Sequence, residues 1–336
     1  MDAVTATVPG SMVDSFGRRI DYVRISVTDR CNLRCRYCMA EHMQFLPKRD
    51  ILTLEEIVEL GDIFIARGVR RIRLTGGEPL VRRGVGELFR ALGSRIGHGL
   101  EEVTLTTNGV LLSQFAPLLA DSGVRRVNVS LDSRRPDRFA HITRGGELGS
   151  VLRGVAAARE AGLKVKINMV ALAGLNDDEF EDMLLWCNGE GFDLTLIETM
   201  PLGEVEEDRT CHYLALDTVR HELEQRFTLV PSLSRTGGPA RYYEVSGLSV
   251  RLGMITPLSA NFCAGCNRIR VAATGTVYGC LGHDQKVELR DALRSGGAGQ
   301  VDAMLDRLLA GKPKGHDFHI AAPRPAVARH MSVTGG

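Results

Sequence analysis

Residues 22–38 read YVRISVTDRCNLRCRYC, in which a β-branched and apolar stretch is followed closely by three cysteines. The stretch 22–28 predicts a buried strand, and Cys31, Cys35 and Cys38 then lie in the loop after it. Three thiolates this close bind one soft ion or cluster, because disulfide pairing would leave one cysteine over. They suit a four-iron cluster with one iron left open, and the alternative is a zinc knuckle completed by His42.

Beyond this strand, short β-branched segments alternate with longer helical patterns as far as about residue 200. Thr53 and Glu56 form the signature of a helix start, and Gly68 suits the left-handed residue that ends a helix. Such alternation predicts parallel strands joined by right-handed crossovers. The predicted strands are 22–28, 71–75, 103–107, 126–131, 164–170 and 193–199.

Polar residues follow the ends of these strands, as in TGGE at 75–78 and TTNG at 106–109. Functional groups spread over many strand ends are typical of a barrel mouth, whereas an open doubly wound sheet concentrates them at one switch point. No Gly-x-Gly-x-x-Gly motif follows the first strand. We therefore expect an α/β fold, with an N-terminal segment at 1–20 and an incomplete (β/α)6 TIM-type barrel over 21–200.

The pattern changes after Pro201, and we expect residues 201–336 to form a C-terminal α+β extension that closes the barrel mouth. Turn residues between short β-branched segments predict two hairpins there. The expected elements are hairpins that pair 242–245 with 248–252 and 269–272 with 276–278, and helices over 287–294 and 301–309.

A second cysteine triplet lies in this C-terminal region, at Cys263, Cys266 and Cys280. With His283 it matches the Cys3His spacing of a structural zinc ribbon. Taken alone, the motif leaves zinc and a second three-cysteine cluster open. Of the two remaining cysteines, Cys187 lies in an apolar helical pattern and is expected to be a small buried hydrophobe. Cys211 lies in a polar loop without an assigned role.

Composition excludes several classes of protein. The 336 residues carry 42 Lys+Arg against 41 Asp+Glu, so the net charge of +1 provides no global basic field for a nucleic-acid polymer or a membrane surface. No secretory signal and no membrane-length apolar stretch is visible, and we expect a cytoplasmic protein with reduced thiols.

Two motifs resemble the signatures of radical S-adenosylmethionine (SAM) enzymes: the first triplet with Tyr37 before its third cysteine, and GGEP at 76–79. Further motifs are similar to those of the GTP 3′,8-cyclase family of molybdenum-cofactor biosynthesis. They are DSFGR at 14–18, SVTDRCN at 26–32, LTGGEPLVRR at 74–83, TTNG at 106–109, NVSLD at 128–132, FCAGCNRIR at 262–270 and the terminal Gly335-Gly336.

This resemblance implies two [4Fe–4S] clusters, one on each triplet, with His283 as a bystander. The residues expected to contact SAM are Tyr37, Gly77, Ser130 and Met200. Those expected to contact GTP are Arg24, Arg73, Thr106, Lys166, Arg268, Ile269 and Arg270. The Gly335-Gly336 tail is expected to reach into the active site and to aid catalysis.

The resemblance also implies the reaction and its partners. A 5′-deoxyadenosyl radical converts GTP to (8S)-3′,8-cyclo-7,8-dihydroguanosine 5′-triphosphate, the first step of molybdopterin biosynthesis. The implied partners are an electron donor and a downstream cyclic pyranopterin monophosphate synthase, and the chain is expected to be a monomer or a homodimer.

Two alternatives remain at this point. A radical SAM enzyme that modifies a peptide or a cofactor, with an auxiliary cluster, would usually carry a longer C-terminal cysteine set. A zinc-stabilised binding module would explain the region 263–283 but neither the first triplet nor the GGEP motif at 76–79.

Overall fold

The computed structural model describes residues 11–203, 209–321 and 325–335. All six predicted strands are present, and their bounds agree with the prediction to within two residues. They are β1 (Tyr22–Ser26), β2 (Arg71–Thr75), β3 (Glu102–Thr107), β4 (Arg126–Ser130), β5 (Lys164–Ala171) and β6 (Asp193–Glu198). The helices between them are α1 (Leu54–Ala66), α2 (Val85–Gly93), α3 (Leu112–Asp121), α4 (Pro136–Thr143), α5 (Leu148–Glu160) and α6 (Phe180–Glu190).

These six strands pair in parallel and in chain order, β1-β2-β3-β4-β5-β6, without the reversal that marks a doubly wound sheet. Nearly every residue of β1 and β2 is buried, as expected for parallel strands covered by helices. Phe64 of α1 and Phe89 of α2 belong to the continuous apolar core. The partial barrel predicted from the sequence is confirmed.

Local signals place the helices where the sequence predicts them. Thr53 Oγ1 accepts a hydrogen bond from the Glu56 amide at 3.1 Å, and the Glu56 carboxylate accepts one from the Thr53 amide at 2.7 Å. This capping box satisfies two amides that have no partner within α1. At the C-terminal end of α6, Gly191 caps the helix with φ +75°, a conformation that favours glycine.

The C-terminal region supplies six further strands and four helices among the described residues. The strands are β7 (Leu229–Ser232), β8 (Arg241–Val245), β9 (Arg251–Ile255), β10 (Arg268–Val271), β11 (Thr276–Tyr278) and β12 (Lys286–Glu288). The helices are α7 (Leu216–Glu224), α8 (Arg290–Ser295), α9 (Gly297–Ala310) and α10 (Met331–Thr334).

Both predicted hairpins exist, because β8 pairs antiparallel with β9 and β10 with β11. The helix predicted over 287–294 is wrong in its first residues, since Val287 lies in β12 opposite Val277 and α8 begins at Arg290. Val287 is buried between exposed Lys286 and Glu288, so the local period is that of a strand.

The C-terminal strands extend both edges of the barrel sheet, which the sequence pattern did not predict. On one edge β10 pairs in parallel with β1, and on the other β9 pairs in parallel with β6. The result is one sheet of twelve strands, with the order β12-β11-β10-β1-β2-β3-β4-β5-β6-β9-β8-β7.

This pairing separates the two cysteine triplets along the barrel. Cys31 follows the carboxyl end of β1, whereas Cys266 precedes the amino end of the parallel strand β10. Cys280 follows β11, which runs antiparallel to β10, and therefore lies at the same amino end. The two triplets are therefore separated by about the length of one strand, which is about 16 Å for five residues. The cysteines lie at both ends of the barrel.

Cys187 is fully buried in α6, as predicted, and Cys211 is exposed. Within the described residues, no helix combines the length and the apolar character needed to cross a membrane.

Two helical glycines test how closely the elements around the barrel pack. A Cβ on Gly154 of α5 would overlap the carbonyl oxygen of Gly109, in the turn after β3, whereas a Cβ on Gly189 of α6 would meet open space. We expect Gly154→Ala to lower the free energy of unfolding by about 1–3 kcal/mol through overpacking. Gly189→Ala should raise it by up to about 1 kcal/mol through helix propensity. Urea unfolding midpoints measure both, and equal shifts for the two variants would contradict this packing.

Candidate functional site

One cavity runs through the barrel interior between the two cysteine triplets. Residues of both triplets and of the strands between them line this one cavity. The predicted residues that line it are Cys31, Cys35, Cys38, Cys263, Cys266, Cys280, Tyr37, Gly77, Ser130, Met200, Arg24, Arg73, Thr106, Lys166, Arg268, Ile269 and Arg270.

The first triplet occupies the carboxyl end of the barrel. The Leu33 amide lies 3.4 Å from Cys31 Sγ, and the Asn108 side-chain amide donates to the same sulfur at 3.7 Å. Burial raises the pKa of the Cys38 thiol to about 12. Three such buried sulfurs become thiolates only beside a positive centre, so this donor set fits a thiolate-bound iron–sulfur cluster. His42, the alternative fourth ligand of a zinc knuckle, is exposed to solvent.

The second triplet faces the cavity from the amino end. His283 Nε2 lies 2.9 Å from the carbonyl oxygen of Gly315. Among the described residues, no three His, Cys, Asp or Glu side chains form a shell for a single metal ion. That finding concerns single ions, since a four-iron cluster binds each thiolate through a different iron.

Between the triplets the barrel wall is polar, with side chains from neighbouring strands that point into the cavity. Five buried side-chain atoms there have no hydrogen-bond partner among the described residues. They are Arg73 Nε, Thr75 Oγ1, Thr106 Oγ1, Asn128 Oδ1 and Thr195 Oγ1. Buried polar groups are nearly always satisfied, so these atoms indicate a polar ligand.

The same wall concentrates positive charge. Burial, together with Arg126 and Arg73, lowers the pKa of Lys166 to about 7. Burial, together with the neighbouring Arg268, lowers the pKa of Arg270 to about 10. In the part of the chain that the structure describes, neither Arg73, Lys166 nor Arg268 forms an ion pair with a carboxylate. A polyanionic ligand would relieve this repulsion.

Two buried carboxylates order the loops at the carboxyl end. Glu78 accepts hydrogen bonds from Thr107 Oγ1 at 2.8 Å and from the Asn108 amide at 2.6 Å, and burial raises its pKa to about 7. Asp132 accepts from the Tyr37 hydroxyl at 2.8 Å and from the Val170 amide at 2.9 Å. Burial raises the pKa of Asp132 to about 6. These bonds hold Tyr37 and the turns after β2 and β3 in place.

Position 77 requires glycine because the backbone of the loop at Asp29 and Arg30 lies directly against it. A Cβ on Gly77 would overlap the Arg30 carbonyl, so only glycine lets the strand end pack against the loop of the first triplet. Neighbouring Pro79 opens a short 3₁₀ helix, as expected for a proline at a helix start.

The C-terminal tail enters the barrel. Buried Ser332 lies on the cavity wall, and its backbone hydrogen-bonds the Cys38 thiol. Arg270 Nη1 donates to the carbonyl oxygen of Gly335, which contacts Thr75 at the end of β2. Gly336, predicted to act with Gly335, lies outside the described residues.

The structure adds cavity residues that the sequence did not single out. Asn128 and Thr195 line the cavity and are flanked along their strands by buried apolar residues, a signal that the strand pattern did contain. Tyr242 contacts Lys166 through its hydroxyl, and Thr236 lies 3.1 Å from the same hydroxyl. No sequence signal points to Tyr242 and Thr236, because their position beside Lys166 depends on the pairing of β8 at the far side of the barrel.

Comparison with known proteins agrees with this geometry. Residues 25–187 match the family model of the radical SAM superfamily, and residues 192–318 match that of Molybdenum Cofactor Synthesis C. The chain is 59% identical to the GTP 3′,8-cyclase of Rhizobium meliloti (strain 1021), over 99% of this chain and 96% of the relative. It is 57% identical to the GTP 3′,8-cyclase of Erythrobacter litoralis (strain HTCC2594), over 97% of this chain and 98% of the relative.

Solved structures share the fold at low identity. Streptococcus suis SuiB bound to SAM superposes with a TM-score of 0.57 at 15% identity, over 94% of this chain and 77% of that protein. SuiB bound to its precursor peptide SuiA gives a TM-score of 0.59 at 14% identity, over 85% of this chain and 67% of that protein. At this identity the likeness concerns the fold alone.

The tail contact gives a direct test. A Cβ on Gly335 (φ +73°) would overlap Thr75 Oγ1, whereas a Cβ on Gly174 (φ +71°) would meet open space. Both Gly→Ala changes strain the backbone, but only Gly335→Ala should expel the tail. We expect faster hydrogen exchange across α10 in Gly335→Ala and parental exchange there in Gly174→Ala. Parental protection of α10 in Gly335→Ala would place the tail outside the barrel.

Proposed function

The chain belongs to the GTP 3′,8-cyclase family of the radical SAM superfamily, and from this membership we propose how its cavity performs the reaction. It converts GTP to (8S)-3′,8-cyclo-7,8-dihydroguanosine 5′-triphosphate in the first step of molybdenum-cofactor biosynthesis. We assign SAM and one [4Fe–4S] cluster to the carboxyl end of the barrel. GTP and a second [4Fe–4S] cluster are assigned to the amino end. The observation that carries this division is the single cavity bounded by two cysteine triplets with buried cations between them.

At the carboxyl end, Cys31, Cys35 and Cys38 hold the first cluster. When bound, this cluster supplies the electron that cleaves SAM, and this cleavage generates the radical that begins the reaction. Tyr37, Gly77, Ser130 and Met200 hold SAM beside it, and all of them line the cavity. The Asp132 carboxylate acts through Tyr37, whose ring it orients by the 2.8 Å hydrogen bond.

At the amino end, the buried cations bind the triphosphate of GTP. Arg24, Arg73 and Arg270 lie side by side on three adjacent strands, because β1 pairs Arg24 with Arg270 on one side and with Arg73 on the other. Guanidinium groups bind phosphate oxygens through paired donors, and burial strengthens each contact. Thr106, Lys166 and Arg268 complete this wall.

Cys263, Cys266 and Cys280 would hold the second cluster, and Arg268 and Ile269 line the cavity with them. The reaction transfers a hydrogen from C3′ of GTP to the 5′-deoxyadenosyl radical, joins C3′ to C8 of the guanine, and takes up one electron and one proton to give the 7,8-dihydro product. The chain's contribution is to fix the ribose between the triplets and to exclude water, which keeps the radical from other hydrogens. Gly335 fills the narrow space beside Thr75 and aids this positioning.

We further propose a low-potential electron donor, a downstream cyclic pyranopterin monophosphate synthase and a cytoplasmic monomer or homodimer. These partners follow from the reaction: the cleavage of SAM takes one electron, the reduction of the cyclised nucleotide radical takes a second electron and a proton, and a nucleotide product is released.

Anaerobic iron–sulfur reconstitution tests the proposal. The reconstituted chain should bind about eight irons, as two four-iron clusters require. With SAM and dithionite it should form 5′-deoxyadenosine only when GTP is added. The matched control is the variant with Cys263, Cys266 and Cys280 changed to alanine, which should bind about four irons and form no cyclised product. Two zinc ions in place of iron, or equal 5′-deoxyadenosine with GTP and with a peptide library, would overturn the assignment.

The lowered pKa of Lys166 predicts proton uptake on GTP binding. In the free cavity, with this pKa at about 7, the ammonium is present below pH 7 and is lost above it. A bound triphosphate raises the pKa, so the lysine takes up a proton at pH 8 and GTP affinity falls between pH 7 and pH 9. The fall is at most about tenfold per pH unit for one linked proton.

Calorimetry of GTP binding at pH 8, in two buffers of different ionisation enthalpy, measures this uptake. Lys166→Arg, which keeps its charge at pH 9, should bind GTP with little pH dependence, and Lys166→Gln should show no uptake at this site. The same proton uptake in Lys166→Gln and in the parent chain would assign the proton to another group.

A further inference from the structure

Lys312 lies behind the second triplet, in the turn after α9, and only 2% of its surface is exposed. Its ammonium donates to the carbonyl oxygen of Gly279 at 2.6 Å and to Cys266 Sγ at 3.6 Å. Gly279 directly precedes Cys280, so this one side chain joins the loops of two of the three cysteines. It does not line the cavity and therefore has no place in the binding of GTP.

Two other cations hold the same loops, but each has a carboxylate partner. Arg18 donates to the Cys263 carbonyl at 2.9 Å and pairs with Asp14 at 2.6 Å. Arg329 donates to the Cys280 carbonyl at 3.2 Å and pairs with Asp284. Lys312 forms no ion pair with a carboxylate within the described ranges 11–203, 209–321 and 325–335.

A buried ammonium without an opposite charge is costly. The group placed to supply that charge is the Cys266 thiolate, together with the cluster it would bind. Three thiolates and a [4Fe–4S]²⁺ core carry a net charge of about −1, which becomes about −2 when the core takes one electron. A cation at the sulfur therefore stabilises the reduced cluster more than the oxidised one.

We propose that Lys312 is a positioning residue of the second cluster, whose ammonium stabilises the Cys266 thiolate and raises the cluster's reduction potential. This inference rests on the second cluster assigned above. The step it affects is the transfer of one electron from a low-potential donor to the cluster, in which no bond forms or breaks.

The first triplet lacks this arrangement. The side-chain donor to Cys31 Sγ is the neutral amide of Asn108, and the buried carboxylates of Asp132 and Glu78 lie nearby. Negative neighbours disfavour the reduced, more negative state of a cluster. The two triplets therefore differ in electrostatic setting.

The test is an EPR-monitored redox titration of the full-length reconstituted chain with dithionite. The signal of the second cluster is identified in the variant with Cys31, Cys35 and Cys38 changed to alanine. In Lys312→Gln we expect at least a tenfold lower ratio of reduced to oxidised second cluster at a fixed potential. This corresponds to about 59 mV for one electron. Lys312→Arg, which keeps the charge, should restore most of the ratio.

Lys314→Gln is the matched control. Lys314 lies two residues after Lys312 and is exposed, so this change removes the same charge from a side chain at the surface. It should leave the potential unchanged. Loss of about four irons in Lys312→Gln but not in Lys312→Arg would also support a role of the charge.

An unchanged potential in Lys312→Gln with all irons bound, or an equal shift in Lys314→Gln, would overturn the inference. So would equal loss of iron in both Lys312 variants, since shape and not charge would then hold the cluster. Only four irons in the parent chain would instead refute the second cluster itself, and this inference with it.

Discussion

The parallel pairing of β10 with β1 is the contact on which the rest of the site depends. It sets Arg270 directly opposite Arg24 and carries Cys266 to the amino end of the barrel. Like charges opposite each other destabilise a sheet. Burial, followed by Arg270 and Arg73, lowers the pKa of Arg24 well below its usual value. The apolar pairs Val23–Ile269 and Ile25–Val271 on the same two strands offset this cost. The pairing thus holds Arg24 and Arg270 next to each other in the buried wall, where a triphosphate can neutralise their charges.

The two ends of the cavity differ in the charge that surrounds their cysteines. Carboxylates order the carboxyl end, where Glu78 and Asp132 accept backbone and hydroxyl donors. Cations order the amino end, where Arg18 and Lys312 hold the ligand loops. A buried charge is tolerated only with a partner of opposite sign, so the charges at each end of the cavity favour a ligand of opposite charge. The carboxyl end suits a ligand with an ammonium group, and the amino end suits phosphates and an electron-rich cluster.

The alternatives raised by the sequence separate on the same physical grounds. A zinc ribbon needs its ligands gathered around one ion, and among the described residues Cys263, Cys266, Cys280 and His283 form no such shell. SuiB, which was solved with a bound precursor peptide, shares the fold, but at 14% identity this likeness says nothing about the substrate of the present chain. The buried wall of arginines favours a compact polyanion, because a buried cation requires an opposite charge.

The six βα units and the loop of the first triplet follow from the sequence alone, because hydrophobic period, helix caps and cysteine spacing are local properties. Resemblance to a known family also identified many of the residues that line the cavity. The tertiary structure places the second triplet, since β10 could pair with any free edge. It also decided the contacts of Lys166 with Tyr242, 76 residues apart, and of Lys312 with Cys266, 46 residues apart. Such contacts depend on strand pairing across the barrel, which no local pattern encodes.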